Sequence, residues 1–512
     1  MRFVLRNVKL VGTAREHSRT MSHRLRSNVA PRGALIGAAA SDRTGIVHLG
    51  MGNFHRAHTA VFTAEAMAAA GGEWGIRGFA SASDRVVAPM QQQDNLYTVL
   101  QLEKSGARAG LIDVHRNLGI ASADPQEVVD AIAEPAHRIV TLTVSEAGYT
   151  RDSATGRLAV DSPVLSGELA STAPPKSTIG QIARGLERRA FSGDPVTILS
   201  CDNLQSAGDV TESVVTEYLH AINASEDVLR FVAESVTFPN GMVDRIVPAT
   251  TQSHIAQVTN LLGIEDRTPV PAEDFTMWVL EDEFAAGRPA WDASGAVFTD
   301  EVEAYEMVKL RLLNGSHSLI AYLGVLSGAE TIDAAWNLDY IRDAVLAGIE
   351  RDYLPTITLP TGFDADDYIS QLDARWANPL IGHPTTQVAS DGSLKLLQRV
   401  PAPAMHHLQA GRTPHHLALC VAAWIACVAP PTGFVPPKLA GIIREPAAQA
   451  LAEVTVGATT TGDHVERILD GGFFPASLAA EELFTTRVSE LLSIIIADGA
   501  RAAAVEATRT HH

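Results

Sequence analysis

The sequence predicts an α/β protein, a doubly wound and largely parallel sheet followed by a mostly α-helical second domain. Three observations carry this reading. From Gly45 to about residue 300, short apolar strand candidates alternate with helical patterns, the signature of strands joined by crossover helices. Beyond that point the strand signal fades and long Ala/Leu-rich periodic stretches take over. At 512 residues the chain is also too long for one hydrophobic core, so two domains are expected.

Taken in order, the strand candidates are 46–49 (IVHL), 74–80 (WGIRGFA), 138–144 (RIVTLTV), 196–200 (VTILS) and 235–238, ahead of Pro239. Helices are expected between them, from about Ala57 to Ala70 and over 125–133 and 178–189. The later helical stretches are 305–326, 340–349, 415–428 and 483–504, separated by loops rich in proline such as 401–403 and 436–437. No internal repeat is evident. The longest apolar run, Leu417 to Ala429, falls short of the roughly 18 residues a membrane helix needs and reads as a buried core helix.

Composition narrows the function. A formal net charge of −19 argues against a nucleic-acid partner, which requires a basic surface. Cys201, Cys420 and Cys427 have no paired spacing, which fits a reducing, cytoplasmic setting rather than a disulfide framework. Residues 1–40 carry many arginines against Glu16 alone and lack a continuous apolar core. They read as a flexible N-terminal extension rather than a secretory signal, with a transit peptide as the alternative. The terminal His511-His512 pair is either native or the remnant of a tag.

The segment GIVHLGMGNFHRAH (45–58) is a strand, a Gly-x-Gly turn and a helix start. Gly50 would permit the tight turn and Gly52 the close approach of a pyrophosphate. Met51, Asn53 and Phe54 would complete the cradle at the helix N-terminus. His55 stands where a third glycine would be, and such turns also join strands to helices with no ligand. After the second strand, Asp84 is the acidic residue placed to accept a ribose 2′-hydroxyl, favouring NAD over NADP. The competing reading is a surface aspartate capping the next helix. His55 and His58 lack the further ligands of a zinc centre, so no metal is expected.

The stretch YEMVKLRLLNGSHS (305–318) is the most informative. On a regular helix with Lys309 at zero, Glu306 falls at about 60°, His317 at about 80° and Asn314 at about 140°. These polar groups share one arc of an otherwise apolar, buried helix. A buried lysine loses charge stabilisation and can serve as a base near neutral pH, and an asparagine amide can donate to a developing alkoxide. An equally good account is a satisfied core network in which Glu306 pairs with Lys309 or Arg311.

A resemblance separates these readings. The segments 45–58, QDNLYTV (93–99), VTLTVSEAGY (140–149), SCDN (200–203), TFPNGMVDRI (237–246), WVLEDEFAAGRPAW (278–291), 305–318 and DGSLK (391–395) occur in order. Together they resemble the polyol-specific long-chain dehydrogenase family, typified by mannitol 2-dehydrogenase and fructuronate reductase. The resemblance runs from about Gly45 to at least Trp424 and implies three parts: an extension over 1–40, a Rossmann-type NAD-binding domain over 41–300, and a helical substrate-binding domain over 301–512. It also implies a cleft between the domains and metal-independent hydride transfer.

Carried onto matching positions, it implies Lys309 as general base, with Asn203 and Asn314 polarising the reacting oxygen. His317 and Asp244 would orient the substrate, Lys395 would contact it, and Glu306 would relay the proton to water. Two positions depart from the pattern. Gln387 stands where mannitol dehydrogenases resemble Arg-x3-Asp-Gly-Ser, so the far end of the substrate is held differently. Ala147 replaces a lysine carried by many relatives. The leading expectation is oxidation of a polyol such as D-mannitol to D-fructose. The second is interconversion of D-mannonate and D-fructuronate, and a more remote one is a catalytically silent NAD-binding sensor. The partner expected is a small molecule, with no nucleic acid and no membrane.

Overall fold

The computed structural model describes residues 23–27, 35–36, 42–152 and 155–509. The chain divides into two compact units, Met1–Glu303 and Ala304–His512, each taken here by itself.

The first unit is organised on six strands: β1 (Thr44–Leu49), β2 (Gly75–Ala80), β3 (His115–Ile120), β4 (Ile139–Leu142), β5 (Val196–Ser200) and β6 (Val236–Thr237). Their spatial order is β6-β5-β4-β1-β2-β3, every pairing parallel. This is the 3-2-1-4-5-6 order of two wound halves, in which the succession of strands reverses between β1 and β4. Ligands of open α/β sheets bind outside the carboxyl ends of the strands at that reversal.

Apart from the edge strand β3, the strands are short, apolar and largely buried because helices cover both faces. Ile46 points into a core shared with Ala60, Phe62 and Met67 of the helix α2 (Thr59–Ala70). Val47 and Leu49 point the other way. They meet Val128 and Ile132 of α3 (Pro125–Ala133), Ile182 and Leu186 of α4 (Thr178–Arg189), and Val214 of α5 (Ala207–Ala221). The starts of α3 and α4 are fixed by chemistry visible in the sequence. Asp124 accepts from the Glu127 N–H at 3.0 Å with Pro125 at the first helical position, and Ser177 accepts from the Gly180 N–H at 3.1 Å.

Three features were not anticipated. The antiparallel hairpin Tyr97–Glu103 with Gly106–Ile112 belongs to a second, four-stranded sheet. The six-stranded sheet's edge strand β3 carries Arg116 and Asn117 instead of an apolar run, because an edge has less to bury. A three-stranded sheet includes β7 (Gly241–Asp244), antiparallel to β8 (Met277–Leu280). Much of the expected flexible extension over 1–40 lies outside the described residues, as does the His511-His512 pair. Its described stretches are folded: His23–Arg24 pairs with Ile264–Glu265, Leu35–Ile36 pairs with Leu111–Ile112, and Leu25 is fully buried.

The second unit is helical throughout. The run expected at 305–326 consists of α6 (Val302–Val308), a wider π-helical turn over Lys309–Gly315, and α7 (Ser316–Leu326). There follow the short α8 (Thr385–Ala389), α9 (Gly392–Arg399), α10 (His415–Val428) and α11 (Glu482–Thr508). Helix α10, the apolar run of the sequence, is buried along nearly its whole length and packs against α7 and α11. Among the described residues no helix is long and apolar enough to cross a membrane.

Candidate active site

The glycine turn follows β1 at the reversal of strand order. Gly50 has φ +104°, and a Cβ there would fall 2.1 Å from the Thr143 carbonyl oxygen, so both backbone and packing demand glycine. The Gly50 N–H donates to the Phe79 carbonyl at 2.8 Å, tying the turn to the end of β2. Met51 is buried, and its sulfur lies where a side chain on Gly78 would stand.

Gly52 is different. It is exposed, and a Cβ there would meet nothing nearer than the Gly50 carbonyl at 3.7 Å. The chain's own packing does not require glycine at this position; an outside group lying against the backbone would. The short helix Asn53–Ala57 then begins with no side chain capping its amides. Asn53 reaches the Pro248 carbonyl and the Thr250 hydroxyl, each at 3.4 Å, and the partly buried Phe54 ring stacks on His58.

A buried polar layer supports this turn. His48 Nε2 lies 3.1 Å from the Gly50 carbonyl oxygen, and the Thr143 hydroxyl donates to that oxygen at 2.8 Å. His48 stacks on His55, which meets the Thr59 hydroxyl at 2.6 Å and His115 at 3.0 Å. Burial pushes the His48 imidazole down to about 3, and those of His55 and His115 well below their usual range, so all three are neutral near pH 7. His58 contacts the Met277 carbonyl at 3.0 Å. The His55 and His58 nitrogens thus turn inward, onto protein atoms. Among the described residues no group of His, Cys, Asp or Glu side chains is placed to hold a metal ion. Asp84 lies beyond the end of β2, fully on the surface; its backbone carbonyl accepts from the Ala88 N–H at 2.9 Å, and its side chain caps no helix.

Asn203 emerges just past β5, exposed, and its neighbour Asp202 sets its position. The Asp202 carboxylate accepts from the amides of Val144 and Ser145, both at 3.0 Å, and from the Tyr149 hydroxyl at 2.9 Å. Tyr149 also meets Ser200 Oγ at 2.5 Å. The SEAGY and SCDN segments are therefore one interlocked unit at the ends of β4 and β5. Burial pushes the Asp202 carboxyl's pKa up, and these hydrogen bonds oppose the rise. Asp244 closes β7, buried, opposite Met277.

In the second unit, Glu306, Lys309 and His317 are all buried, and Asn314 is half-buried. The regular helix assumed from the sequence is corrected here. In a π-turn backbone pairing runs five residues apart, so residues five apart stack as residues four apart do in an α-helix. Lys309 and Asn314 are five apart and come closer around the axis than a regular helix would place them. Gly315 is needed because a Cβ there would fall 2.4 Å from the Tyr353 hydroxyl.

The DGSLK segment opens α9. A Cβ on Gly392 would fall 2.4 Å from both Trp424 Nε1 and the Tyr322 hydroxyl, so glycine lets the helix start press against α10 and α7. Lys395, one turn on, donates to the Val388 and Ser390 carbonyls at 3.1 and 2.6 Å. Burial, followed by the nearby Arg399 charge, pushes its ammonium down to about 8. Gln387 is exposed on α8.

Around His317 the sequence reading missed Arg375, His383 and Arg399. His317 Nε2 is buried with no hydrogen-bond partner, and its ring stands edge-on to His383 at 5.9 Å. Burial first, then the charges of His383, Arg375, Arg399 and Lys395, hold His317 well below its usual range and hence neutral. No spacing in the sequence groups these residues: Arg375 lies on the helix Ala365–Trp376, His383 in the loop before α8 and Arg399 at the end of α9.

Fold and site together define a dinucleotide-fold oxidoreductase. A mannitol dehydrogenase Rossmann domain model matches residues 44–293, and a mannitol dehydrogenase C-terminal domain model matches 301–456. The chain belongs to the mannitol dehydrogenase family. It is 40% identical over 386 residues to D-mannonate oxidoreductase of Escherichia coli (strain K12), covering 74% of this chain and 79% of that one. It is 37% identical over 385 residues to mannitol 2-dehydrogenase of Cereibacter sphaeroides, covering 74% and 80%. Its structure is similar to Pseudomonas fluorescens mannitol 2-dehydrogenase, solved as a ternary complex with NAD and D-mannitol. That match has a TM-score of 0.82 and 31% identity, and covers 95% of this chain and 100% of that one.

The interlock around Asp202 yields a stability prediction. Asp202→Ala strips an acceptor from two amides and a hydroxyl and should destabilise the protein by about 1–3 kcal/mol. Denaturant unfolding checks this; an unchanged midpoint would mean the β4 and β5 ends are held some other way.

Proposed function

We propose that the protein is an NAD-dependent dehydrogenase that interconverts a secondary alcohol and a ketone on a hexonate, of which D-mannonate and D-fructuronate are the type pair. The observation that carries the choice of an acid is the set of cations about His317: Lys395, Arg399 and Arg375. A neutral hexitol needs hydroxyl partners only, whereas a carboxylate needs positive charge. The acidic groups acting on Lys395 are Asp391, whose carboxylate is 4.0 Å away, and Glu445, which is hydrogen-bonded to Ser393 and Trp424. The similarity to D-mannonate oxidoreductase points the same way. The polyol reading is favoured by the D-mannitol bound in the similar structure.

The glycine turn fits the cofactor, since Gly52 is bare on its exposed side and the following amides are uncapped. Asp84 is our candidate partner for the ribose hydroxyls. NAD+, when bound, accepts the hydride. Lys309 takes the hydroxyl proton as the C–H bond breaks, and Glu306 passes that proton towards water. Asn203 and Asn314 donate to the oxygen as it gains charge. His317, neutral and with Nε2 uncommitted, orients the hydroxyl with Asp244. Lys395 uses two of its three protons on carbonyls and keeps its charge and third proton for the substrate. Gln387, uncharged, would meet its far end. The work falls to a lysine base, with no metal assigned. The buried free thiols of Cys201, Cys420 and Cys427 suit a reducing, cytoplasmic setting.

Turnover of D-mannonate with NAD+ should exceed that of D-mannitol by at least about tenfold in kcat/KM, the discrimination of one uncompensated charge. Equal or better use of mannitol would return the site to polyols, and turnover of neither would defeat both readings. Lys309→Ala should lose about 10²- to 10⁴-fold in kcat while NAD still binds.

A further prediction concerns pH. Lys395 is charged below about 8 and neutral above it. If it holds the substrate's carboxylate, the apparent KM should climb by up to about tenfold per pH unit once the ammonium titrates. Lys395→Met should give a higher KM with that rise removed; an unchanged pH profile in the variant would rule out this role.

A further inference from the structure

Asn314 lies in the last turn of the π-helical segment, just before Gly315 and the start of α7. One cation reaches it from another helix. Arg399, the last residue of α9, donates from Nη1 to the Asn314 carbonyl at 2.9 Å and to the Ser318 hydroxyl at 2.7 Å. The same guanidinium leaves its Nε buried with no partner. An orphaned buried donor is unfavourable, so packing alone would select a methionine or leucine here. The fork of Nη1 bonds is what the arginine adds.

The opposite side of the turn is held independently. Arg311 Nη1 donates to the backbone carbonyl and hydroxyl of Thr356, and Tyr353 fills the space above Gly315. Those contacts fix Arg311 and Gly315. Arg399 is the group that grips the asparagine's own peptide.

We propose that Arg399 is a positioning residue for Asn314: by holding the Asn314 carbonyl and Ser318 together it keeps the π-turn open and aims the Asn314 amide. This rests on the reading above that Asn314 donates to the reacting oxygen. The Arg399 charge serves His317 as well, but the aim of the amide is a matter of geometry. It therefore separates the guanidinium from any other cation at this position. Lysine supplies charge without the two-pronged grip.

The test is a double-mutant cycle on the full-length protein. Arg399→Met and Arg399→Lys should each lower kcat by about 10- to 100-fold, the scale of a misplaced catalytic group. The dissociation constant for NAD should hold. In an Asn314→Ala background the same substitutions should cause no further loss in kcat, because Arg399 acts through that amide. Multiplying losses, or a wild-type kcat in Arg399→Met, would overturn the proposal.

Amide hydrogen exchange supplies an arm independent of turnover. Protection over residues 309–318 should fall at least about tenfold in Arg399→Lys relative to wild type, with the rest of the chain unchanged. Unchanged protection there overturns the proposal even if activity falls. If wild type turns over neither D-mannonate nor D-mannitol, the functional reading fails on its own, and the exchange result still decides whether Arg399 holds the turn.

Discussion

Backbone pairing five residues apart between Lys309 and Gly315 brings the lysine and Asn314 towards one side of a buried helix, and the candidate chemistry depends on that departure. A regular α-helix with the same residues would splay them. The widened turn is expensive, and the surrounding residues show how it is supported: Tyr353 fits only because residue 315 is glycine, Arg311 reaches Thr356, and Arg399 takes the Asn314 carbonyl. Lys309 and Asn314 are held by what surrounds them, not by the helix they share.

The first unit solves a comparable problem at the reversal of strand order. Gly50 must turn with positive φ against the Thr143 backbone, and its carbonyl accepts from the Gly52 N–H and the Thr143 hydroxyl and faces His48 Nε2 at 3.1 Å. The histidines beneath are kept neutral by burial, so the layer carries hydrogen bonds and no charge under the turn. Asp202 does the same for the ends of β4 and β5. Both units thus set their candidate site residues on rigid, buried polar supports.

Much of the fold was legible because local chemistry marks its boundaries. The helices at 125–133, 178–189 and 415–428 and the strand at 196–200 fall where capping residues, proline and apolar runs placed them. The hairpin over 97–112 and the edge strand β3 were not legible, since their burial depends on which sheet they join. The π-turn was hidden because no residue type announces it, and a helical wheel assumes it away. The candidate residues in the ordered motifs were named through family resemblance. Their supports were not: a lone histidine in an apolar strand, such as His48, or an arginine two turns past the glycine of DGSLK, such as Arg399, shows its partner only in three dimensions.

The proposed hexonate rests on charge. Gln387 is uncharged, while Lys395, Arg399 and Arg375 all act on His317. Whichever substrate is taken, the account stands on Lys309 as the base. Chemical rescue tests it most directly: a small primary amine, methylamine, is titrated into Lys309→Ala with NAD+ and substrate present. The account predicts turnover that rises with the concentration of the free amine, because the missing group is a base and nothing else. A variant that keeps wild-type turnover without amine, or that binds NAD normally yet shows no recovery at any amine concentration, would contradict it.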